Sequence, residues 1–124
     1  MANIKMWVDG SAEPNPGPGG WGVVAILDNG EEKRVGDSLE HVTNNQAELV
    51  ACLKGIQLFT RPGDKVEIYS DSKYVIGVAS KGWKAKKNRD LIEAVIKESM
   101  GRSITYVYVP SEANPADPLS RMWL

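Results

Sequence analysis

A chain of 124 residues suits one compact domain with a single core, and no apolar run approaches the roughly 20 residues a membrane span needs. Apolar residues make up 42% and charged residues 25%, ordinary for a globular protein, and the lone Cys52 excludes an internal disulfide or a cysteine zinc site. The net charge of −1 argues, as a total, against a nucleic-acid binder, although Lys81, Lys84, Lys86, Lys87 and Arg89 crowd into one short segment.

Ile4, Met6 and Val8 alternate with Lys5, Trp7 and Asp9, the period-2 pattern of a half-buried strand that Asp9 closes. The Gly/Pro-rich stretch from Glu13 to Gly20 reads as a loop, and Trp21 to Leu27 as a second strand. Asp28-Asn29-Gly30 is a hairpin signal, because Asn-Gly accepts the positive φ angles of tight turns, and the chain returns over Glu32 to Leu39. His41, the only histidine, falls in a surface loop on this reading. Thr43 with Gln46 three residues on forms a capping box, opening a helix through Leu49, Val50, Leu53, Ile56 and Leu58 that Arg61-Pro62-Gly63 ends. Lys65 to Ser70 alternates again, with Val66 and Ile68 core-facing, and Asp71-Ser72 starts a short helix. After the basic segment, Asn88 is placed to cap a further helix carrying Leu91, Ile92, Val95 and Ile96, with Gly101 as its stop. Ile104 to Val109 reads as the last strand. One or two helical turns follow, starting at Pro115 or Pro118.

The order predicts a mixed α/β fold. Three leading strands joined by short turns must be antiparallel neighbours, later strands separated by helices are parallel crossovers, and helices pack on the sheet. The N-terminus lacks the long apolar stretch of a secretory signal, and with the single cysteine this points to a reducing, cytoplasmic setting.

Four acids fall where elements begin or end: Asp9, Glu48, Asp71 and Asp117. Taken singly, each aspartate reads as a turn former or helix cap. Glu48 is harder to account for, since it lies inside the apolar stretch Ala47-Glu48-Leu49-Val50-Ala51, where an unpaired carboxylate is costly to bury. Gathered at one point, such oxygens suit a hard cation such as Mg²⁺. Two ions roughly 4 Å apart can activate water and stabilise the leaving oxygen of a phosphodiester.

Asp9-Gly10-Ser11 with Asn15-Pro16-Gly17-Pro18-Gly19-Gly20-Trp21-Gly22, then Thr43-Asn44-Asn45-Gln46-Ala47-Glu48-Leu49, Ser70-Asp71-Ser72-Lys73-Tyr74-Val75, and finally Asn114, Ala116 and Asp117, resemble in order the motifs of the type-1 ribonuclease H family. The last phrase resembles the ribonuclease H domains of retroelements. The resemblance implies a ribonuclease H-like mixed five-stranded sheet over a single domain, residues 1–124. It implies an endonuclease that hydrolyses the RNA strand of RNA–DNA hybrids to 5′-phosphate and 3′-hydroxyl ends. It assigns Asp9, Glu48, Asp71 and Asp117 as ligands of two Mg²⁺, with Mn²⁺ able to substitute. Asn15, Asn44 and Asn45 match positions that touch the hybrid minor groove, where amides can read 2′-hydroxyls. Gly10 and Ser11 let the backbone approach the RNA strand, and Thr43 with Asn44 at a helix N-terminus suits a DNA-strand phosphate. The expected partner is the hybrid, with a monomer and no membrane.

The chain departs from the family pattern in several places. The basic protrusion many members carry is reduced to about Ser80–Asn88, where Trp83 among the lysines can still grip a strand by phosphate pairing and stacking. Weaker, more salt-sensitive hybrid binding is expected. Glu112 stands near the place of the loop histidine found in many members, so a proton shuttle active near neutral pH is missing and slower turnover is expected. Lys73 replaces a glutamine of some relatives and can reach a phosphate. Met122, Trp123 and Leu124 are expected either to pack onto the sheet in place of a longer terminal helix or to mark a truncation. The rival readings are a hybrid-binding module without turnover, a proofreading exonuclease of similar fold, and a Gly-loop nucleotide binder. The last is weakened by the missing Lys-Ser/Thr ending.

Overall fold

The structure, a computed structural model, describes residues 1–122. Five strands form one mixed sheet: β1 (Asn3–Ala12), β2 (Gly17–Ile26), β3 (Glu32–Val42), β4 (Lys65–Ser70) and β5 (Ser103–Tyr108), in the order β3-β2-β1-β4-β5. The first three are antiparallel neighbours and β1-β4-β5 are parallel, as the short turns and helical crossovers predict. The helices are α1 (Asn44–Phe59), α2 (Lys73–Ser80), α3 (Arg89–Ser99) and α4 (Asp117–Arg121), with a 3₁₀ turn over Ser111–Ala113. Among the described residues no helix is long and apolar enough to cross a membrane.

The core lies between α1 and one sheet face, where Met6, Val8, Val23, Val66 and Ile68 meet Leu49, Cys52 and Ile56. Ile92 and Val95 of α3 are also buried there, whereas Ile96 and Leu58 face solvent. The capping box is complete: the Thr43 hydroxyl accepts from the Gln46 N–H and the Gln46 side chain accepts from the Thr43 N–H.

The structure corrects several boundaries. Asp9 does not close β1. The strand runs on to Ala12, because Gly19 and Gly20, read as loop, pair with Ala12 and Ser11. The β3 strand extends to Val42, so His41 is an exposed strand residue rather than a loop residue. Asn88 precedes α3 but makes no capping bond. It sits in the left-handed region at φ 62°, and its side-chain amide donates to the Tyr74 hydroxyl at 3.2 Å instead. Met122 does not pack onto the sheet, being 63% exposed. Trp123 and Leu124 lie outside the described residues.

Two close approaches set the arrangement of the site. A Cβ on Gly10 would strike the α1 backbone at Ala47 and Glu48, and one on Gly22 would stand 2.5 Å from the Leu119 Cβ of α4. Gly22 pairs with Asp9 on β1, next to Gly10, and neighbouring strand residues point to opposite faces. The helices α1 and α4 therefore clasp this end of the sheet from its two sides.

Candidate metal centre and substrate-facing surface

The parallel ladder between β1 and β4 ends at Val8 opposite Ser70. The next residue on each chain is an acid, Asp9 and Asp71. Strand pairing alone thus sets the two carboxyls side by side at the carboxyl ends of neighbouring strands, where crossover sheets commonly assemble sites. Glu48 enters from α1. Its Oε1 accepts the Gly10 N–H at 3.2 Å, while Oε2 is buried with no hydrogen-bond partner among the described residues. Asp117 opens α4, and Arg121 one turn later donates its Nε–H to both carboxylate oxygens, at 3.1 and 3.3 Å. Asn114 steers the chain into that helix: its side-chain amide donates to the Val8 carbonyl at 2.9 Å, and its Oδ1 accepts the Ala116 N–H at 3.0 Å.

Carboxylate oxygens of Asp9, Asp71 and Asp117 all lie within 4.8 Å of one another. Glu48 is outside that closest group but lines the same cavity of about 280 Å³. A larger cavity of about 680 Å³ lies at the opposite end of the sheet, between Lys5, Lys65 and Glu67, with Asp28 as its other acid.

Burial, more than any neighbour, pushes the Asp9 carboxyl up to about 7. The neighbouring Glu48 side chain pulls against this, while Asp117 and the charge of Asp71 add to it. Glu48 is held well above the usual carboxylate range, again chiefly by burial and then by Asp9 and Asp71, with the Gly10 N–H opposing. Ionising both Asp9 and Glu48 at such burial is costly unless positive charge joins them. The donors are all oxygens, one is buried and unpartnered, and three converge. That set fits a hard divalent cation.

A second cavity, of about 510 Å³, shares Asn44 and Asn45 with the first and is lined also by Asn15, Thr43 and Lys87. Its amides are interlocked: Asn44 Oδ1 accepts the Ala12 N–H at 2.7 Å, and the Asn44 N–H donates to Asn15 Oδ1 at 3.0 Å. Gly10 and Ser11 line the acid cavity as well, although the missing Gly10 side chain makes room for α1. Lys73 extends over the Tyr108 ring, its Nζ 5.4 Å from the centroid. Trp83 is half exposed, with one part of its ring against Gly77 of α2. Glu112 is exposed on the 3₁₀ turn, and its neighbour Ser111 is the residue of that turn that lines the acid cavity.

Sequence reasoning missed Ser72, Ser111, Ser120 and Arg121 around the acids. Arg121 was within reach, since a cation four residues after an acid on a helix is a known pair, but the ambiguous start of α4 hid the spacing. Nothing local marks Ser120, whose contacts with Ser11 and Asp9 are tertiary.

A family model described as RNase H matches residues 1–113, ending short of Asp117. The ribonuclease H of Pelobacter propionicus is 33% identical over 127 residues, covering 92% of this chain and 77% of that protein. The N-terminal RNase H domain of a Mycobacterium tuberculosis protein superposes with a TM-score of 0.85 at 26% identity, covering 97% of this chain and 91% of that one. LC11-RNase H1, solved in complex with an RNA/DNA hybrid, superposes with a TM-score of 0.81 at 26% identity over 94% of this chain and 93% of that one.

Proposed function

This chain belongs to the ribonuclease H family, and on that footing we propose that it hydrolyses the RNA strand of RNA–DNA hybrids at Asp9, Glu48, Asp71 and Asp117, leaving 5′-phosphate and 3′-hydroxyl ends. The observation that carries the reading is the convergence of three carboxylates beside the buried, partnerless Oε2 of Glu48. These four acids would hold two Mg²⁺, with Mn²⁺ able to substitute. When bound, divalent ions there supply water activation and charge neutralisation on the scissile phosphate.

The chain's own groups supply orientation. The β1–β4 ladder holds Asp9 against Asp71, the Gly10 N–H turns Glu48 inward, and Arg121 steadies Asp117. The amides of Asn15, Asn44 and Asn45 read 2′-hydroxyls in the minor groove, distinguishing RNA from DNA. Backbone at Gly10 and Ser11 lies along the RNA strand. The Thr43 hydroxyl accepts from the Gln46 N–H and keeps its own proton, and the Asn44 N–H is taken by Asn15, so the DNA-strand phosphate falls to the Thr43 hydroxyl and the Asn44 side-chain NH₂ at the start of α1. Lys73 and Trp83 add phosphate pairing and stacking farther out. The chain acts as a monomer, residues 1–124 forming one domain.

The test is a labelled hybrid, with single-stranded and double-stranded controls, incubated with and without Mg²⁺. Cleavage is expected only in the RNA strand of the hybrid, only with the cation, and also when the hybrid ends are blocked. Asp71→Asn should cut cleavage by about a hundred- to a thousandfold, the scale of lost electrostatic stabilisation, while hybrid binding largely survives. A wild-type chain that binds the hybrid with Mg²⁺ or Mn²⁺ and never cuts it would instead be a binding module.

A further inference from the structure

The α4 helix has five residues, far below the length at which a helix holds itself in water. Its position, and with it that of Asp117, must come from contacts with the sheet. One polar contact precedes it, Asn114 on the Val8 carbonyl. The other is Ser120, which is fully buried. Its Oγ lies 3.2 Å from Oδ2 of Asp9, 2.9 Å from the Asp117 carbonyl and 3.3 Å from Oγ of Ser11. Oγ of Ser11 is also 3.2 Å from the Ser120 carbonyl.

A serine hydroxyl carries one proton and two lone pairs. The Ser11 proton goes to Ser120, through its carbonyl or its hydroxyl. The Ser120 proton then has as acceptor the neutral carbonyl of Asp117, the carboxyl of Asp9 or, where Ser11 donates to the carbonyl, the neutral Ser11 Oγ. Bonds to an ionised acceptor are roughly twice as strong as neutral ones, and more so away from water. An ionised Asp9 therefore takes the proton.

We propose that Ser120 is a positioning residue for the metal-binding acids, fixing the rotation of the Asp9 carboxylate while its own helix carries Asp117. This rests on the reading of Asp9 and Asp117 as cation ligands. Groups that orient a ligand in this way are typically worth about tenfold or more in metal affinity.

The experiment compares wild type, Ser120→Ala and Leu119→Ala. Leu119→Ala loosens α4 over Gly22 without touching Asp9. Mn²⁺ affinity is measured by calorimetry, alongside KM for the hybrid and the melting temperature in chelator. Ser120→Ala should bind Mn²⁺ about tenfold more weakly with KM for the hybrid little changed. Leu119→Ala should lose clearly less Mn²⁺ affinity than Ser120→Ala even where it melts as low. Undiminished Mn²⁺ affinity in Ser120→Ala overturns the proposal. So does an equal loss in Leu119→Ala, because docking of α4 would then account for everything. Should Ser120→Ala lose its native near-ultraviolet dichroism, Ser120→Cys, a poor donor of similar size, takes its place with the same two outcomes. A wild-type chain that binds no Mn²⁺ would sink the site reading itself, which separates that failure from this one.

Discussion

At Asp9 the raised carboxyl has a consequence for stability. Its value of about 7 in the folded chain stands against an ordinary 3.8, so between those limits the folded state keeps a proton that the unfolded state has released. Stability without metal therefore falls as pH rises through that window, and Glu48, displaced in the same direction by burial, adds to the loss. In EDTA the melting temperature should drop from pH 5 to pH 8, and excess Mg²⁺ at pH 8 should restore it by binding only the folded chain. A melting temperature that climbs with pH in chelator would contradict the proton load assigned to these acids. A second residue-scale prediction concerns Glu112. Replacing it with His should raise turnover near neutral pH severalfold by supplying a proton shuttle beside the acid cavity. Single-turnover rates would read this directly, and an unchanged rate would remove any proton-relay role from that loop.

At the scale of elements, the close contact between Gly22 and Leu119 makes β2 the floor on which α4 rests. Gly22→Ala should push α4, and Asp117 with it, off that floor. Overpacking of this kind costs about 1–3 kcal/mol, yet a ligand displaced by about 1 Å can cost on the order of a hundredfold in rate. Cleavage should therefore fall much further than thermal stability, as melting curves beside initial rates would reveal. The same element shows why some of the site was legible and some was not. The capping box at Thr43 and Gln46 is a local signal, and the structure has it intact. Asp71 was legible because it follows an alternating strand directly. The continuation of β1 past Asp9 was not, because it depends on pairing with glycines that resemble a loop in isolation. The start of α4 was undecidable between Pro115 and Pro118. The helix begins at Asp117 with Pro118 second, a choice made by contacts with β1 and β2 rather than by the proline itself.

Over the whole molecule, a net charge of −1 leaves little general attraction for a polyanion, so hybrid binding depends on a few local cations. Lys87, lining the amide cavity with Asn15 and Asn44, is one of them. Measured with the uncut complex of Asp71→Asn, affinity should weaken steeply with salt, and Lys87→Ala should lower the log–log slope by about one regardless of sequence. An unchanged slope would remove Lys87 from the interface. The meeting of Asp9 and Asp71 at the end of a shared ladder has a broader implication. Adjacent strands stand about 4.8 Å apart wherever they pair, so the backbone gauge from which these two acids project is inherited from main-chain bonding. Lengthening the Asn29-Gly30 hairpin, or trimming the basic segment around Trp83, would leave that gauge untouched. A scaffold of this kind can lose its outlying parts and still keep its chemistry in register.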